Sequence, residues 1–521
     1  MLIKIRTATL SGVKGYPVTV ETDLRRGMPD FSVVGLADTT IRESCKRLRP
    51  AIMNSGYDFP NERITVNLVP ADKPKEGSHF DLPIAVSIIL LMEGLEAPED
   101  TAFLGEVSLD GTVNPVRGVL PLVISLRAAG IHTILLPEGN AEEAAVLQDI
   151  RILPVSSLKQ AVDYISGCGT LCAYQRKKPG PKVSRSVDYA QVIGQDTAKR
   201  AMMIGAAGNH GMLMMGSPGC GKTMLARRLP TILPPLTYEE KLEIMGIYSV
   251  AGMLSKDAPV IEERPFRSPH HSITVAGLIG GGVRARPGEL SLAHRGVLFL
   301  DELGEFDSKV IDALRQPVED GYVRIVRQQE EVVFPSRVTV VVASNPCKCG
   351  HLWDERKMCT CSAKQLASYR RRLMGPFSDR IDMHIRMMPV KRQELFESQN
   401  RQTRTGGHAP SSLQMRRQVE KAMERQLRRF AGTGYQSNGT LDEAGVHRYC
   451  CLNEGCTAMM QAAFDRLGLS MRGYHKILKI ARTIADLDGT DEIKEAHLAE
   501  ALMYRITDIE GEKTYDQGYH R

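Results

Sequence analysis

At 521 residues the chain is too long for one compact domain, and a prior of about one folded unit per 150 residues gives three or four. Hydrophobic residues make up 42% and charged residues 25%, the globular range, which excludes wholesale disorder. The net charge of +6 marks no nucleic-acid binder by itself, and the longest apolar run, Leu82 to Met92, falls short of the roughly 20 residues that cross a bilayer.

The opening MLIKIRTATLSG lacks the apolar stretch of a secretory signal, so the expectation is a soluble cytoplasmic protein with no membrane partner. Residues 1–170 read as an α/β domain. ITVNLVP and TILLPE have strand character, while DLPIAVSIILLMEGL and VLPLVISLRAAG read as buried helices. Prolines, a glycine and cations from Gln175 to Tyr189 interrupt that periodicity, as a linker at 171–189 would. Beyond it, GMLMMG, GVLFLDE and RVTVVVASNP are short apolar runs between helical stretches, the pattern of a doubly wound parallel sheet over 190–390.

The region 391–510 reads as helical, followed by a tail at 511–521. Residues 391–430 hold ten cations (Lys391, Arg392, Arg401, Arg404, Arg416, Arg417, Lys421, Arg425, Arg428 and Arg429) against four Glu. The helix from Gln414 to Phe430 should bury Met415, Val419, Met423, Leu427 and Phe430. Its basic opposite face either contacts phosphates or is simply solvated. Gly406 to Ser412 reads as a loop. Thr490 and Asp491 can start the last helix, with Ile493, Leu498 and Leu502 in its core face.

The strongest signal is GSPGCGKT: Gly216, Ser217, Pro218, Gly219, Cys220, Gly221, Lys222 and Thr223. An apolar strand precedes it and a helical run follows, the context of a phosphate-binding loop. The glycines let backbone amides face phosphate oxygens, Lys222 can neutralise the β and γ phosphates, and Thr223 can ligate Mg2+. In VLFLDE the carboxylates follow a buried strand, so Asp301 can complete the magnesium shell and Glu302 can polarise water. Asn345, at the end of the next strand, can orient that water against the γ-phosphate.

Eleven cysteines form an odd set that argues against a disulfide framework and for metal binding in any cluster. Cys347, Cys349, Cys359 and Cys361 form two Cys-x-Cys pairs within fifteen positions, enough thiolates for a closed structural zinc site. His351 is a replacement ligand, and Trp353 lies between the pairs. Cys450, Cys451 and Cys456 lack such spacing.

Together these elements resemble an AAA+ ATPase. RPFRSPHHSITVAGLIGGG (264–282), RPGELSLAHRGVLFLDELGEF (286–306), LRQPVEDGYVRI (314–325) and ASNPCKCG (343–350) are similar to the magnesium-chelatase-like branch. With the N-terminal domain they resemble the YifB/ComM family over nearly the whole chain. That resemblance implies a homo-hexameric, ATP-driven helicase for branch migration on branched or single-stranded DNA. It also implies that Arg380 in GPFSDRID is an arginine finger reaching a neighbour's nucleotide, and that Arg472 in SMRGYHKIL is the second sensor. The 78 residues between Lys222 and Asp301 imply an insertion. In the resemblance this is the helix-two insert with His270, His271 and Gly280–Gly282, and residues 322–334 form a hairpin before the first sensor. Either projects into a central pore, or the histidines are buried hydrogen-bonding groups and the glycines a loop.

PADKPKEGSHFDLPIA (70–85) and the stretch 103–140 resemble the proteolytic domain of Lon, but the serine and lysine positions of its dyad hold His79 and Leu120, aligned on Lys75 and Pro115. Ser78 stands one place early. The resemblance therefore implies an inactive peptidase fold. The alternatives are a metal-chelatase motor subunit, an ATP-dependent protease and a non-motor ATP-binding scaffold.

Overall fold

Leu2–Ser11 and Lys14–Arg25 pair antiparallel around a two-residue turn. Gly12 takes φ +61° there, a conformation that favours glycine and matches the twist of a tight hairpin. In the computed structural model, residues 2–176, 187–254, 260–282, 285–327, 330–354, 357–373, 375, 377–389 and 410–506 are described. The linker interior, the tail and the cations Lys391, Arg392, Arg401 and Arg404 lie outside the described residues, as does most of the expected loop at Gly406.

The hairpin sits in a seven-stranded mixed sheet, with Arg63–Val69 and Asp30–Val34 on one flank and Thr101–Phe103, Thr133–Pro137 and Arg151–Val155 on the other. Helix Asp81–Glu93 is buried at every residue from Asp81 to Leu91, as a helix that is apolar on all faces must be. A second buried helix, Val119–Ala128, carries this domain onto the next: Met245 of helix Tyr238–Ala251 joins the cluster of Val119, Leu122 and Val123. Buried Glu143 accepts from the Ser249 hydroxyl and from Leu120 N at 3.0 Å.

The central sheet is parallel throughout, in the order Phe266–Arg267, Val297–Leu300, Thr339–Ser344, Met212–Gly216, Met383–Met387. Alternate side chains enter two cores. Met212, Met214, Phe299 and Val341 face helix Asp196–Gly208 and the C-terminal helices, whereas Leu213, Leu298, Leu300 and Val342 face helix Ser308–Asp320. The strand Met212–Gly216 adjoins strands that come fourth and fifth in chain order, the kind of switch point where α/β sheets bind ligands beyond their carboxyl ends. Between strands lies the insert: helix Val275–Ile279, then Gly280–Gly281 paired with Arg286–Pro287. His270 is exposed and His271 half-buried, with ring centroids 4.0 Å apart, so they are not the buried pair of one reading. Tyr322–Arg327 and Glu330–Pro335 form the expected hairpin.

The C-terminal region is helical: Ser412–Arg429, Glu443–Tyr449, Glu454–Leu467, Met471–Leu487 and Glu495–Ile506. Two details correct the sequence reading. Leu427 is 58% exposed; its place in the buried stripe passes to Gln426, whose amide bridges Ala207 O at 2.9 Å and Asn438 N at 2.8 Å. The last helix starts at Glu495, because Thr490 closes the preceding helix instead. Its N–H donates to Ala485 O at 2.9 Å, and its carbonyl accepts from Arg482 at 2.6 Å. Among the described residues, no helix is long and apolar enough to cross a membrane.

Candidate nucleotide site and cysteine cluster

Strand Met212–Gly216 delivers the phosphate loop to the sheet centre, and helix Lys222–Arg228 leaves from it. A β-carbon at Gly216 would lie 2.6 Å from Met387 O, so only glycine fits between strand and loop. Gly219 and Gly221 adopt φ +81° and +94°, turning the backbone as phosphate-cradling amides require. Ser217 and Cys220 are buried beneath the loop, and Pro218 and Gly219 are exposed at its tip. The buried Ser217 hydroxyl oxygen has no protein partner.

Lys222 Nζ donates to Gly216 O at 2.6 Å, Ser217 O at 3.2 Å and Asn345 Oδ1 at 3.1 Å. Thr223 Oγ1 donates to Asp301 Oδ2 at 2.8 Å. The structure thus gathers Lys222, Thr223, Asp301 and Asn345 from three different strand ends. The hydroxyl and carboxylate oxygens form the hard-donor pair that suits Mg2+ bridging to phosphates. Glu302 follows, exposed and at φ +53°, a left-handed conformation costly for a non-glycine residue and typical of functional positions. Its N–H donates to Asp301 Oδ1 at 3.0 Å.

The two candidate arginines meet on one carboxylate. Arg380, in the turn Ser378–Arg380, pairs with Glu319 at 3.0 Å, and Arg472, at the start of helix Met471–Leu487, pairs with the same carboxylate at 3.3 Å. Among the described contacts Arg472 meets Glu319, not the phosphate loop of its own chain. Below them, Asp382 is flanked by His210 at 3.1 Å and Lys476 at 3.2 Å. Burial raises the Asp382 carboxyl, but Lys476, His210 and Lys479 outweigh it and hold the group far below the usual carboxylate range.

The four cysteines converge as their spacing suggested. Sγ separations are 3.4 Å for Cys347–Cys349, 3.7 Å for Cys347–Cys359 and 3.5 Å for Cys349–Cys359, and Cys361 lies within 4.8 Å of the others. Thiolates around tetrahedral Zn2+ with bonds of about 2.3 Å stand about 3.8 Å apart, so the donor set is compatible with zinc; a disulfide would need about 2.05 Å. Burial opposes ionisation of Cys349, but the N–H groups of His351 and Thr360 outweigh it and favour the thiolate. His351 turns its Nδ1 toward Asp354 at 3.3 Å, leaving four sulfurs as the cluster. Arg386 stacks on Trp353 at 4.6 Å, which fixes the loop to the last strand. Cys450 and Cys456 are buried and Cys451 is exposed, all as free thiols.

In the N-terminal domain His79 is buried, its Nε2 2.9 Å from Ala8 O, and Leu120 is fully buried. Burial lowers the His79 imidazole to about 4. Both positions serve packing and present no nucleophile–base pair.

Some residues that shape the site carry no sequence signal. Gln195, at φ +57°, donates to Cys220 O at 3.2 Å and Met388 O at 2.7 Å, tying the phosphate loop to the last strand. Glu319 and Gly350 lie in the segments 314–325 and 343–350 that carry the resemblance, but their partners emerge only through tertiary contact.

Three family profiles match the chain: "Magnesium chelatase, subunit ChlI" over residues 188–395, "Subunit ChlI of Mg-chelatase" over 20–140, and "Magnesium chelatase, subunit ChlI C-terminal" over 409–505. The chain is 40% identical over 502 residues to competence protein ComM of Haemophilus influenzae, covering 95% of each. It is 38% identical over 508 residues to the uncharacterized protein YifB of Escherichia coli, covering 97% of each. A shorter similarity, 26% identical over 162 residues, links it to Lon protease of Rhizobium meliloti, covering 29% of this chain and 20% of that one.

Proposed function

Because the chain belongs to the YifB/ComM family of magnesium-chelatase-like AAA+ proteins, we propose that it is an ATP-hydrolysing ring motor acting on DNA, a branch-migration helicase in recombination or natural transformation. The observation that carries this reading is a division of labour. One chain brings Lys222, Thr223, Asp301 and Asn345 together, and Arg380 pairs with Glu319 of another helix. In the proposed homo-hexameric ring Arg380 serves the nucleotide of an adjoining protomer.

When bound, ATP with Mg2+ supplies the phosphoryl bond that is cleaved. Lys222 neutralises phosphate charge, Thr223 and Asp301 hold the magnesium shell, Glu302 accepts a proton from the attacking water, and Asn345 orients that water. Arg380 stabilises charge spread over the equatorial oxygens, a role worth about 10³–10⁵ in turnover where an arginine finger serves a GTPase, and Arg472 joins it from the helical region. Zn2+ in the four-cysteine loop is structural, since four thiolates leave no open coordination position.

DNA contact falls to exposed Arg417, Lys421 and Arg428; Arg416, Arg425 and Arg429 on the same helix are engaged by Glu420, Asp491 and Asp486. A metal-chelatase motor subunit is the second reading, favoured by the profile over 188–395. The near full-length likeness to ComM, N-terminal domain included, favours the DNA motor. ATP turnover measured with and without branched DNA tests the choice: stimulation by DNA supports the motor, and a rate indifferent to DNA at low salt opposes it.

A further inference from the structure

Lys476 lies one turn beyond Arg472 on helix Met471–Leu487, with its side chain 10% exposed. Its Nζ donates to Asp379 O at 2.6 Å and Ile381 O at 3.2 Å, and pairs with Asp382 Oδ1 at 3.2 Å. An ammonium has three donors, and here three acceptors meet it, the two carbonyls immediately flanking Arg380 and the carboxylate two residues on. The other Asp382 oxygen meets His210 Nδ1 at 3.1 Å, and His210 Nε2 meets Thr483 Oγ1 at 2.8 Å, two turns further along the helix that carries Lys476. The helix of Arg472 and the turn of Arg380 are therefore joined twice, once through Lys476 and once through His210, while their guanidiniums share Glu319.

We propose that Lys476 is a positioning residue for ATP hydrolysis, fixing the Arg380 turn to the Arg472 helix so that the two guanidiniums keep one spacing through the catalytic cycle. Charge stabilisation of a transition state depends on preorganised donors, and displacement of about 1 Å is costly. Lys476 touches neither nucleotide nor water in this account; it acts through the backbone on either side of Arg380. The inference rests on the ring-ATPase reading above.

The amine's surroundings give the device a pH signature. Burial pushes Lys476 down to about 8; Asp382 draws it up, and Arg505 and Lys479 push it down further. His210 faces the same carboxylate from helix Asp196–Gly208's far end. As pH rises through about 8 the ammonium loses its proton, and the tie to Asp382 loses its charge.

The test compares full-length parent, Lys476→Met, Lys476→Arg and Arg380→Ala for ATP affinity, assembly and turnover. Lys476→Met should lower kcat at least tenfold while KM for ATP and ring assembly change less than twofold. Lys476→Arg should restore part of kcat, and the parent's fall in kcat above pH 8 should disappear in it. A Lys476→Met kcat within twofold of the parent overturns the proposal, as does a parent kcat that stays flat from pH 7 to 10; the parent measurement decides even where a variant misfolds. Arg380→Ala separates the two layers. Loss of turnover there with an active Lys476→Met sinks only the positioning role, whereas parental turnover in Arg380→Ala sinks the arginine assignment on which it rests.

Discussion

Gly350 of the cysteine loop lies against Pro218 of the phosphate loop, so closely that a β-carbon at 350 would stand 2.8 Å from the proline ring. Gly350 also holds φ +83°, and Cys347 follows Asn345 by two residues. The cysteine cluster is thus built into the wall of the nucleotide site. Gly350→Ala, strained by conformation and contact together, should cost about 1–3 kcal/mol locally and raise KM for ATP severalfold. Removing metal with a chelator should do the same and shift Trp353 fluorescence. Elemental analysis of reduced protein that finds no zinc would remove the metal from this picture.

Glu302→Gln should bind ATP with parental affinity yet turn over about 10²–10⁴-fold more slowly, as loss of a positioned base predicts; Lys222→Ala should lose nucleotide binding itself. Mixing Glu302→Gln with Arg380→Ala protein should recover part of the lost turnover, because some interfaces then pair an intact Glu302 with an intact Arg380. A mixture no more active than its components would place both residues in one chain's site.

The buried His79 ring makes the N-terminal domain sensitive to acid. The unfolded chain takes up a proton on this ring near pH 6.5, whereas the folded ring stays neutral down to about 4. Its contribution is therefore complete above pH 6.5 and is lost as pH falls toward 4, on the order of 3 kcal/mol in full. Hydrogen exchange of helix Asp81–Glu93 at pH 7 and pH 5 should show this loss in the parent and a smaller one in His79→Leu. Equal losses in both would assign the acid sensitivity to other groups.

Exposed Arg417, Lys421 and Arg428 should make DNA binding salt-dependent. Replacing all three with Ala should weaken binding to branched DNA and reduce the slope of log K against log salt by up to about 2–3. An unchanged slope would move the DNA contact to another face.

The strand–loop–helix around Gly216–Thr223, the strand end before Asp301 and the convergence of the four cysteines were legible in the sequence because each rests on a local pattern of residue type and spacing. The strand runs were legible for a related reason: VLFL and the VVVA of Val340–Ala343 are apolar at every position, as strands covered on both faces are. Long-range pairing was not. Glu319 reads as an ordinary helix-end carboxylate until two arginines from distant segments meet it, and Gln195 as a turn residue until its amide spans two loops. Periodicity also failed at Leu427, where a polar side chain, Gln426, with three backbone partners displaced an apolar one from the core. At Thr490 a possible helix start closes the helix before it.

The most direct measurement of the central claim is the resolution of a synthetic four-way junction into two duplexes by the purified protein with ATP and Mg2+, beside the Lys222→Ala variant. An ATP-driven DNA motor resolves the junction in the parent only when ATP is present, and not at all in the variant. A parent that binds and hydrolyses ATP yet leaves the junction intact, or a variant that resolves it equally well, would contradict an ATP-driven DNA motor.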